Sequence, residues 1–195
     1  MTRRQGAIAA LAIFGLIAGW LLFVGLPRWY GAREAPGAAA AGAAPAAPAA
    51  AVRKITATLF YVSEDGMSLT QVQREVPFGA TAAEQARAIV EAQLAPAPPL
   101  VSAVPPDVKV RDVFITERGD AFVDLSGEIT AKHPGGSLDE IFTVYTIVNA
   151  LTVNLPAITR VQILVDGKEV DTLAGHVDLR HPLAKSLDWV LHDTH

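Results

Sequence analysis

The chain has 195 residues and no cysteine, so it has neither a disulfide framework nor a cysteine that could carry a lipid anchor. Hydrophobic residues make up 51% of it, and its formal net charge is −4. Four of the 16 basic residues and one of the 20 acidic residues precede residue 35; the remainder, with 12 basic and 19 acidic residues and a net charge of −7, is a poor match for nucleic acid or anionic lipid.

The first predicted element is a transmembrane helix over Gly6–Leu26, a run without any charged residue. As a helix these 21 residues would be about 31 Å long, close to the thickness of a hydrocarbon core. Arg3 and Arg4 precede it, so residues 1–5 are expected in the cytoplasm. The remainder of the chain is then expected outside the cytoplasm.

Two alternatives remain open for this N-terminal region. Residues 38–40 are all alanine and suit a signal peptidase, so the run could be a cleaved export signal. Gly15 and Gly19 form a GxxxG pair that supports helix dimers, which makes a homo-oligomer a further possibility. Residues 27–52, rich in alanine and proline, are interpreted as a tether that holds the next domain away from the bilayer.

The predicted folded domain covers residues 53–183, followed by a loosely held tail at 184–195. Alternating β-branched and polar residues predict a hairpin of Ile55–Val62 and Leu69–Val76. Thr81 and Glu84 form a capping box that starts a helix ending near Leu94. Strands at Val108–Thr116 and Ala121–Ser126 are expected to form a second hairpin.

A second capping box, Ser137–Glu140, predicts a helix that runs to Asn154. Ile158–Val165 and Lys168–Thr172 then form strands around the turn Asp166-Gly167. A short edge element is expected within 176–182. The order β-β-α-β-β-α-β-β predicts an α+β domain in which two helices pack on one mainly antiparallel sheet.

Two kinds of surface are candidates for binding a partner. The helix surface within Leu138–Leu155 is apolar over most of its circumference, which predicts either a partner contact or burial under the first helix and the N-terminal hairpin. Exposed strand edges at Leu69–Val76 and Val177–Arg180 could bind a partner by strand addition. The residues proposed for such contacts are Val144, Ile147, Leu151, Leu69, Val72 and Val177.

The domain resembles the GerMN family, named for the germination and sporulation protein GerM, over about 55–182. The matching segments are ATLFYVSEDG, AIVEAQL, AVPPDVKVRDVFI, GDAFVDLSGEI, TIVNALTVNLPAITRVQILVDGKEV and GHVDLRHPL. The resemblance implies a bacterial, extracytoplasmic, non-catalytic module that assembles envelope complexes through protein–protein contacts. This chain differs from GerM in having one such domain, a predicted membrane helix and no lipidation cysteine, so a sporulation role is not carried over.

Other functions rest on weaker patterns. His176, Asp178 and His181 could form a metal site or a general base, and Ser126 could be a nucleophile, although it lacks the GxSxG context. Tyr61, Phe114 and Tyr145 are the aromatic candidates for a small-ligand or cell-wall glycan site. Neither pattern is specific, so we expect no catalytic residue, no metal and no cofactor, and assign Asp124 to orienting a basic side chain from a neighbouring strand.

Overall fold

The computed structural model describes residues 53–191. The spanning helix predicted at Gly6–Leu26 and the linker lie outside this range. Within it, no helix is both long and apolar enough to cross a bilayer. The elements in chain order are β1 (Lys54–Val62), β2 (Leu69–Pro77), α1 (Ala82–Leu94), β3 (Val110–Ile115), β4 (Asp120–Leu125), α2 (Glu128–Ala131), α3 (Ser137–Asn154), β5 (Arg160–Val165), β6 (Lys168–Glu169) and β7 (Leu183–Ala184).

The α+β class is confirmed, but the expected single sheet is divided in two. One sheet is the antiparallel hairpin β1–β2, in register from Lys54 opposite Pro77 to Val62 opposite Leu69. The other has the order β3-β4-β5-β6, with β7 also pairing with β5. The sheets stay separate because the outer edge of β1 bonds to helix side chains rather than to another strand.

The second sheet also contains a parallel pair, which hairpin-based reasoning did not predict. Strand β5 runs parallel to β4, with Asp120 opposite Arg160 and Leu125 opposite Val165. The connection between them contains α2 and α3, and a helical crossover of this kind returns the chain to the end from which it started. Only β3–β4 and the short β5–β6 and β5–β7 pairings are antiparallel.

Helix α1 begins as its sequence predicts. The Thr81 hydroxyl accepts a hydrogen bond from the Glu84 N–H at 3.1 Å, and the Glu84 carboxylate accepts one from the Thr81 N–H at 3.0 Å. Helix α3 does not begin with the predicted capping box, because Gly136 occupies its N-cap position and has no side chain to accept a hydrogen bond. The second capping box is therefore wrong: the Glu140 side chain bonds to a distant loop instead.

The hydrophobic core extends through both sheets and the faces of α1 and α3 that meet them. Its largest fully buried side chains include Phe60, Tyr61, Phe142, Ile147 and Leu151. The α3 helix packs against β1 and α1. The apolar circumference of α3 thus reflects burial on several sides within the domain, the second of the two outcomes considered for it.

Residues 183–191 pack on the domain rather than forming the loose tail expected from the sequence. The Asn149 side-chain amide donates to the Ser186 carbonyl at 2.7 Å and accepts from the Ser186 N–H at 3.2 Å. Val190 is buried and forms a parallel bridge with Leu69. Backbone pairing of Leu183–Ala184 with β5 and of Trp189 and Leu191 with Leu69 also holds the segment, and such long-range contacts leave little trace in the local sequence pattern.

Candidate functional site

The outer edge of β2 is the main open feature of the hairpin sheet. Leu69 already uses its backbone outward, since its N–H donates to the Trp189 carbonyl at 2.7 Å and its carbonyl accepts from Leu191 at 2.8 Å. Backbone direction alternates along a strand, so Gln71, Gln73 and Glu75 also direct their N–H and C=O groups outward. No backbone group within residues 53–191 pairs with these three positions.

Both ends of this open stretch are closed. At the start, Trp189–Leu191 lies against Leu69 as a short parallel neighbour. At the other end stands Pro77, which has no N–H, and its carbonyl accepts from the Gln85 side chain at 3.2 Å. The open edge, defined as residues 71–75, thus offers three N–H donors and three carbonyl acceptors to an incoming strand.

The outer edge of β1, in contrast, is covered by side-chain amides. Gln93 accepts from the Phe60 N–H at 2.8 Å and donates to the Phe60 carbonyl at 2.7 Å. Asn154 makes the same pair of bonds to Thr58, at 2.8 and 2.7 Å. The N–H of Val62 donates to the Val101 carbonyl at 2.9 Å. Each amide takes the place of one residue of a neighbouring strand.

The outer edge of β3 is protected in a different way. Its register is irregular between Val110 and Asp112. The Arg87 guanidinium on α1 donates to the carbonyl groups of Val110 and Arg111 and to the Asp112 carboxylate, the latter two at 2.8 and 3.1 Å. The bulge and the charged Arg87 side chain on this edge both disfavour strand addition. Strands β1, β2 and β3 are the long strands within residues 53–191 that have an outer edge. Among these three, only the edge of β2 is open to an added strand.

Polar side chains along the open edge limit its unspecific pairing with other strands. Gln71, Gln73 and Glu75 are exposed on one face of β2. Glu75 accepts from the Lys54 ammonium at 2.8 Å, and this hydrogen bond, with the charge of Lys54, lowers the pKa of Glu75. Polar and charged side chains on an edge limit indiscriminate pairing while leaving the backbone groups accessible.

The residues predicted for partner contact are placed differently from one another. Val144, Ile147, Leu151 and Leu69 are fully buried in the core. Val72 is half-buried on the face of β2 opposite Gln71 and Gln73. Of these five residues, only Val72 lies within the open edge.

The second predicted edge, Val177–Arg180, is an irregular loop rather than a strand, and the half-buried Val177 lies within it. The loop wraps around the carboxylate of Glu140, a fully buried residue. One oxygen accepts from the N–H groups of Leu173 and Ala174 at 2.8 and 2.9 Å, and the other from the His176 N–H at 2.7 Å. These three amides precede the predicted edge; within it, the Leu179 N–H donates to the Asp171 carbonyl at 2.8 Å, so this group is not free to form a ladder with a neighbouring strand.

Electrostatics around Glu140 favour its ionised form. Burial raises the pKa of its carboxyl group, but the N–H groups of Ala174, His176, Leu173 and Val177 outweigh burial and hold the pKa below its ordinary value. The His176 imidazole Nδ1 lies 3.1 Å from the same carboxylate. Glu140 therefore fastens the loop to α3.

The predicted metal or base cluster is not assembled. His176 faces Glu140, while Asp178 pairs with Arg180 at 2.7 Å. This hydrogen bond to Arg180 lowers the pKa of Asp178. No group of three metal-binding side chains, with His181 or without it, occurs within residues 53–191.

Ser126 and Asp124 have structural roles. The Ser126 hydroxyl accepts from the Lys109 N–H at 3.0 Å, and the Ser126 N–H donates to the Lys109 carbonyl. These two bonds join the start of β3 to the end of β4, at the end of the hairpin away from its turn. Asp124 accepts from Arg111 at 3.1 Å, as predicted, and also from the Gly167 N–H at 2.7 Å. Gly167 and Asp166 both have positive φ, the geometry expected of this two-residue turn.

The three aromatic candidates do not converge on a pocket. Tyr61 is buried in the core with its hydroxyl 3.1 Å from Arg74, and Phe114 is exposed on β3. Tyr145 is half-buried on α3. Two cavities within residues 53–191, of about 790 and 690 Å³, have no aromatic side chain in their walls.

Sequence reasoning missed the amide side chains that define which edge is open. Gln93 and Asn154 are polar residues at the ends of largely apolar helices, and both are the last or next-to-last residue of their helix. That position was the available signal, because a buried amide near a helix end must find a backbone partner.

Comparisons with known proteins agree with this fold. A family model described as "Germane: Sporulation and spore germination" matches residues 58–171, more than half of the chain. The tandem GerMN domains of the sporulation protein GerM from Bacillus subtilis are 19% identical over 68% of this chain and 46% of that chain, with a TM-score of 0.53. No curated protein matches significantly.

Two further solved structures are similar at lower TM-scores. The first GerMN domain of GerM from Bacillus subtilis is 19% identical over 67% of this chain and 95% of that chain, with a TM-score of 0.46. A candidate lipoprotein from Clostridium perfringens is 24% identical over 68% of this chain and 88% of that chain, with a TM-score of 0.48.

Proposed function

Since the chain belongs to the Germane family of sporulation and spore germination domains, we propose that it is a non-catalytic interaction domain that adds a strand of an envelope protein to the open edge of β2. The observation that carries the proposal is the contrast between edges. Side chains cover the edges of β1 and β3, whereas residues 71–75 present backbone groups to solvent. Strand addition uses such groups for affinity.

Location is the second part of the proposal. The uncharged run Gly6–Leu26 anchors the chain in the bacterial cytoplasmic membrane with residues 1–5 inside, and residues 27–52 tether the domain outside. A tether raises the local concentration of the domain for envelope partners. Strand addition to a partner confined to the same membrane therefore needs less intrinsic affinity than it would between freely diffusing proteins.

The domain already contains an example of the proposed contact. Trp189–Leu191 pairs with the start of β2 through two backbone hydrogen bonds, at Leu69. The same strand edge thus accepts a parallel neighbour, and the geometry continues without a bulge to Pro77. An external strand needs only to occupy the next three outward-facing residues.

The test compares two substitutions at Gln73 in the full chain, expressed in its native membrane. Gln73→Pro removes an outward N–H without breaking a bond to β1, whereas Gln73→Ala removes the exposed side chain and keeps the N–H. After chemical cross-linking, we expect defined envelope proteins to co-purify with the parent chain and with Gln73→Ala, and their recovery to fall at least about tenfold with Gln73→Pro. Equal recovery with Gln73→Pro would contradict strand addition at this edge.

A further inference from the structure

A groove lies beside the open edge and is lined by one face of β2. Its volume is about 690 Å³, and Thr70 and Val72 form part of its wall. Two exposed apolar side chains, Val101 and Leu191, line the same groove and are 59% and 51% exposed. The groove therefore adjoins the last described contact between the C-terminal segment and β2, at Leu191 and Leu69.

One end of the groove is acidic. Glu64 and Asp65, in the turn between β1 and β2, contribute to its wall. Asp65 accepts from the Ser63 hydroxyl at 2.5 Å and the Met67 N–H at 3.0 Å, which lower its pKa and keep it ionised. Within residues 53–191, neither carboxylate pairs with a lysine or arginine. The groove thus combines apolar walls with uncompensated negative charge.

The geometry of strand addition decides which partner residue enters this groove. Side chains directly opposite each other on paired strands share a face. A residue opposite Val72 therefore projects over the wall formed by Val72, Thr70 and Leu191, whereas residues opposite Gln71 and Gln73 project to the other face. The groove wall is apolar near the strand and acidic at the turn. Arg74, the next residue on this face of β2, is not part of the wall and donates to the Tyr61 hydroxyl at 3.1 Å.

We propose, building on the proposed function, that the partner strand places a lysine or arginine opposite Val72. The methylene stem of this side chain covers the apolar wall, and its charged end lies near Glu64 and Asp65, as long cationic side chains commonly arrange themselves. The opposite charge favours such a strand over a neutral or acidic one. The occupant is thus an extended segment of a partner protein with a basic residue flanked by β-forming residues.

Synthetic strands test this inference with the full 195-residue chain in detergent micelles. The probes are labelled peptides Ser-Thr-Val-Thr-X-Thr-Val-Thr-Ser with X as lysine, norleucine or glutamate, and binding is measured by fluorescence anisotropy. We expect the lysine peptide to bind about tenfold more tightly than the glutamate peptide, with norleucine between them. Glu64→Gln should reduce that preference by about half on a logarithmic scale, while Glu117→Gln, an exposed carboxylate in another turn, should leave it unchanged.

The outcomes separate the two proposals. Equal affinity of the three peptides, together with loss of binding in Gln73→Pro, would overturn the preference for a basic residue while supporting the edge. Binding that survives Gln73→Pro, or no binding by any peptide, would count against strand addition at β2 and against this inference with it. A lysine preference that Glu64→Gln does not change would also overturn the assignment of the acidic wall.

Discussion

Replacing Glu140 with glutamine tests how a single buried carboxylate holds the loop after β6 to α3. The substitution keeps the shape of the side chain but exchanges one oxygen for an NH₂ group. Each oxygen of Glu140 currently accepts backbone N–H groups, from Leu173 and Ala174 on one side and from His176 on the other. In the variant, one set of N–H groups therefore faces a donor.

The cost follows from these contacts. An N–H group that is left without an acceptor costs about 1–3 kcal/mol, and bonds to a charged acceptor are about twice as strong as neutral ones. One orphaned donor and two weakened bonds give a loss of about 3 kcal/mol for Glu140→Gln. The neighbouring Asp139→Asn removes an exposed carboxylate from the same helical turn and should cost less than about 1 kcal/mol.

The loss should depend on pH in a defined direction. The folded pKa of Glu140 lies below its unfolded value, so its contribution to stability is complete above the unfolded pKa, about 4.3, and is lost as the pH falls through the folded pKa. The difference between the parent chain and Glu140→Gln should therefore be constant near pH 7 and shrink as the pH falls below about 4.

Urea unfolding of the full chain, followed by far-ultraviolet circular dichroism, measures both effects. Amide exchange at His176 gives a local check, because its N–H is the donor left without an acceptor in Glu140→Gln and should lose protection. If Glu140→Gln and Asp139→Asn lost the same stability at pH 7, or if the difference grew at low pH, the reasoning about the buried carboxylate would be wrong.

Three further changes test other parts of the account. Gln93→Met leaves the Phe60 N–H without its acceptor and should lower the free energy of unfolding by about 2 kcal/mol in urea titrations. Thr81→Ala removes a cap bond of α1 and should cost about 1 kcal/mol by the same method, whereas a loss below about 0.3 kcal/mol would mean that the cap contributes little. Val190→Asp places a charge at a buried site and should detach the C-terminal segment, which amide exchange at Leu69 would detect as lost protection; unchanged protection would contradict the docking described.

Local features of this fold could be predicted from the sequence where one short pattern determines them. The capping box at Thr81 and Glu84 predicts the start of α1, and Asp166-Gly167 predicts the turn between β5 and β6. The ends of α3 at Asn154 and of β1 at Val62 also match. These features depend on hydrogen bonds within a few residues, so the sequence contains them directly.

Long-range contacts could not be predicted in the same way. The pattern Ser137–Glu140 fits a capping box, but the Glu140 carboxylate accepts hydrogen bonds from N–H groups more than thirty residues away. These N–H groups lie in a loop next to the short edge element that was predicted within 176–182. The parallel pairing of β4 with β5 depends on where a helical crossover returns the chain. Strand β2 has the open edge of the hairpin because the Gln93 and Asn154 side chains cover the edge of β1. Periodicity does not indicate which polar side chains will bond to a strand edge in this way.

Amide hydrogen exchange at Gln71, Gln73 and Glu75 tests the central claim most directly. In the free chain these outward-facing N–H groups should exchange rapidly, because no described residue accepts from them, while Thr70 and Val72 on the paired side should be protected. In the complex with a cross-linked envelope partner, strand addition predicts that all three become protected together. Protection that appears elsewhere on the domain while these three amides still exchange rapidly would contradict the account.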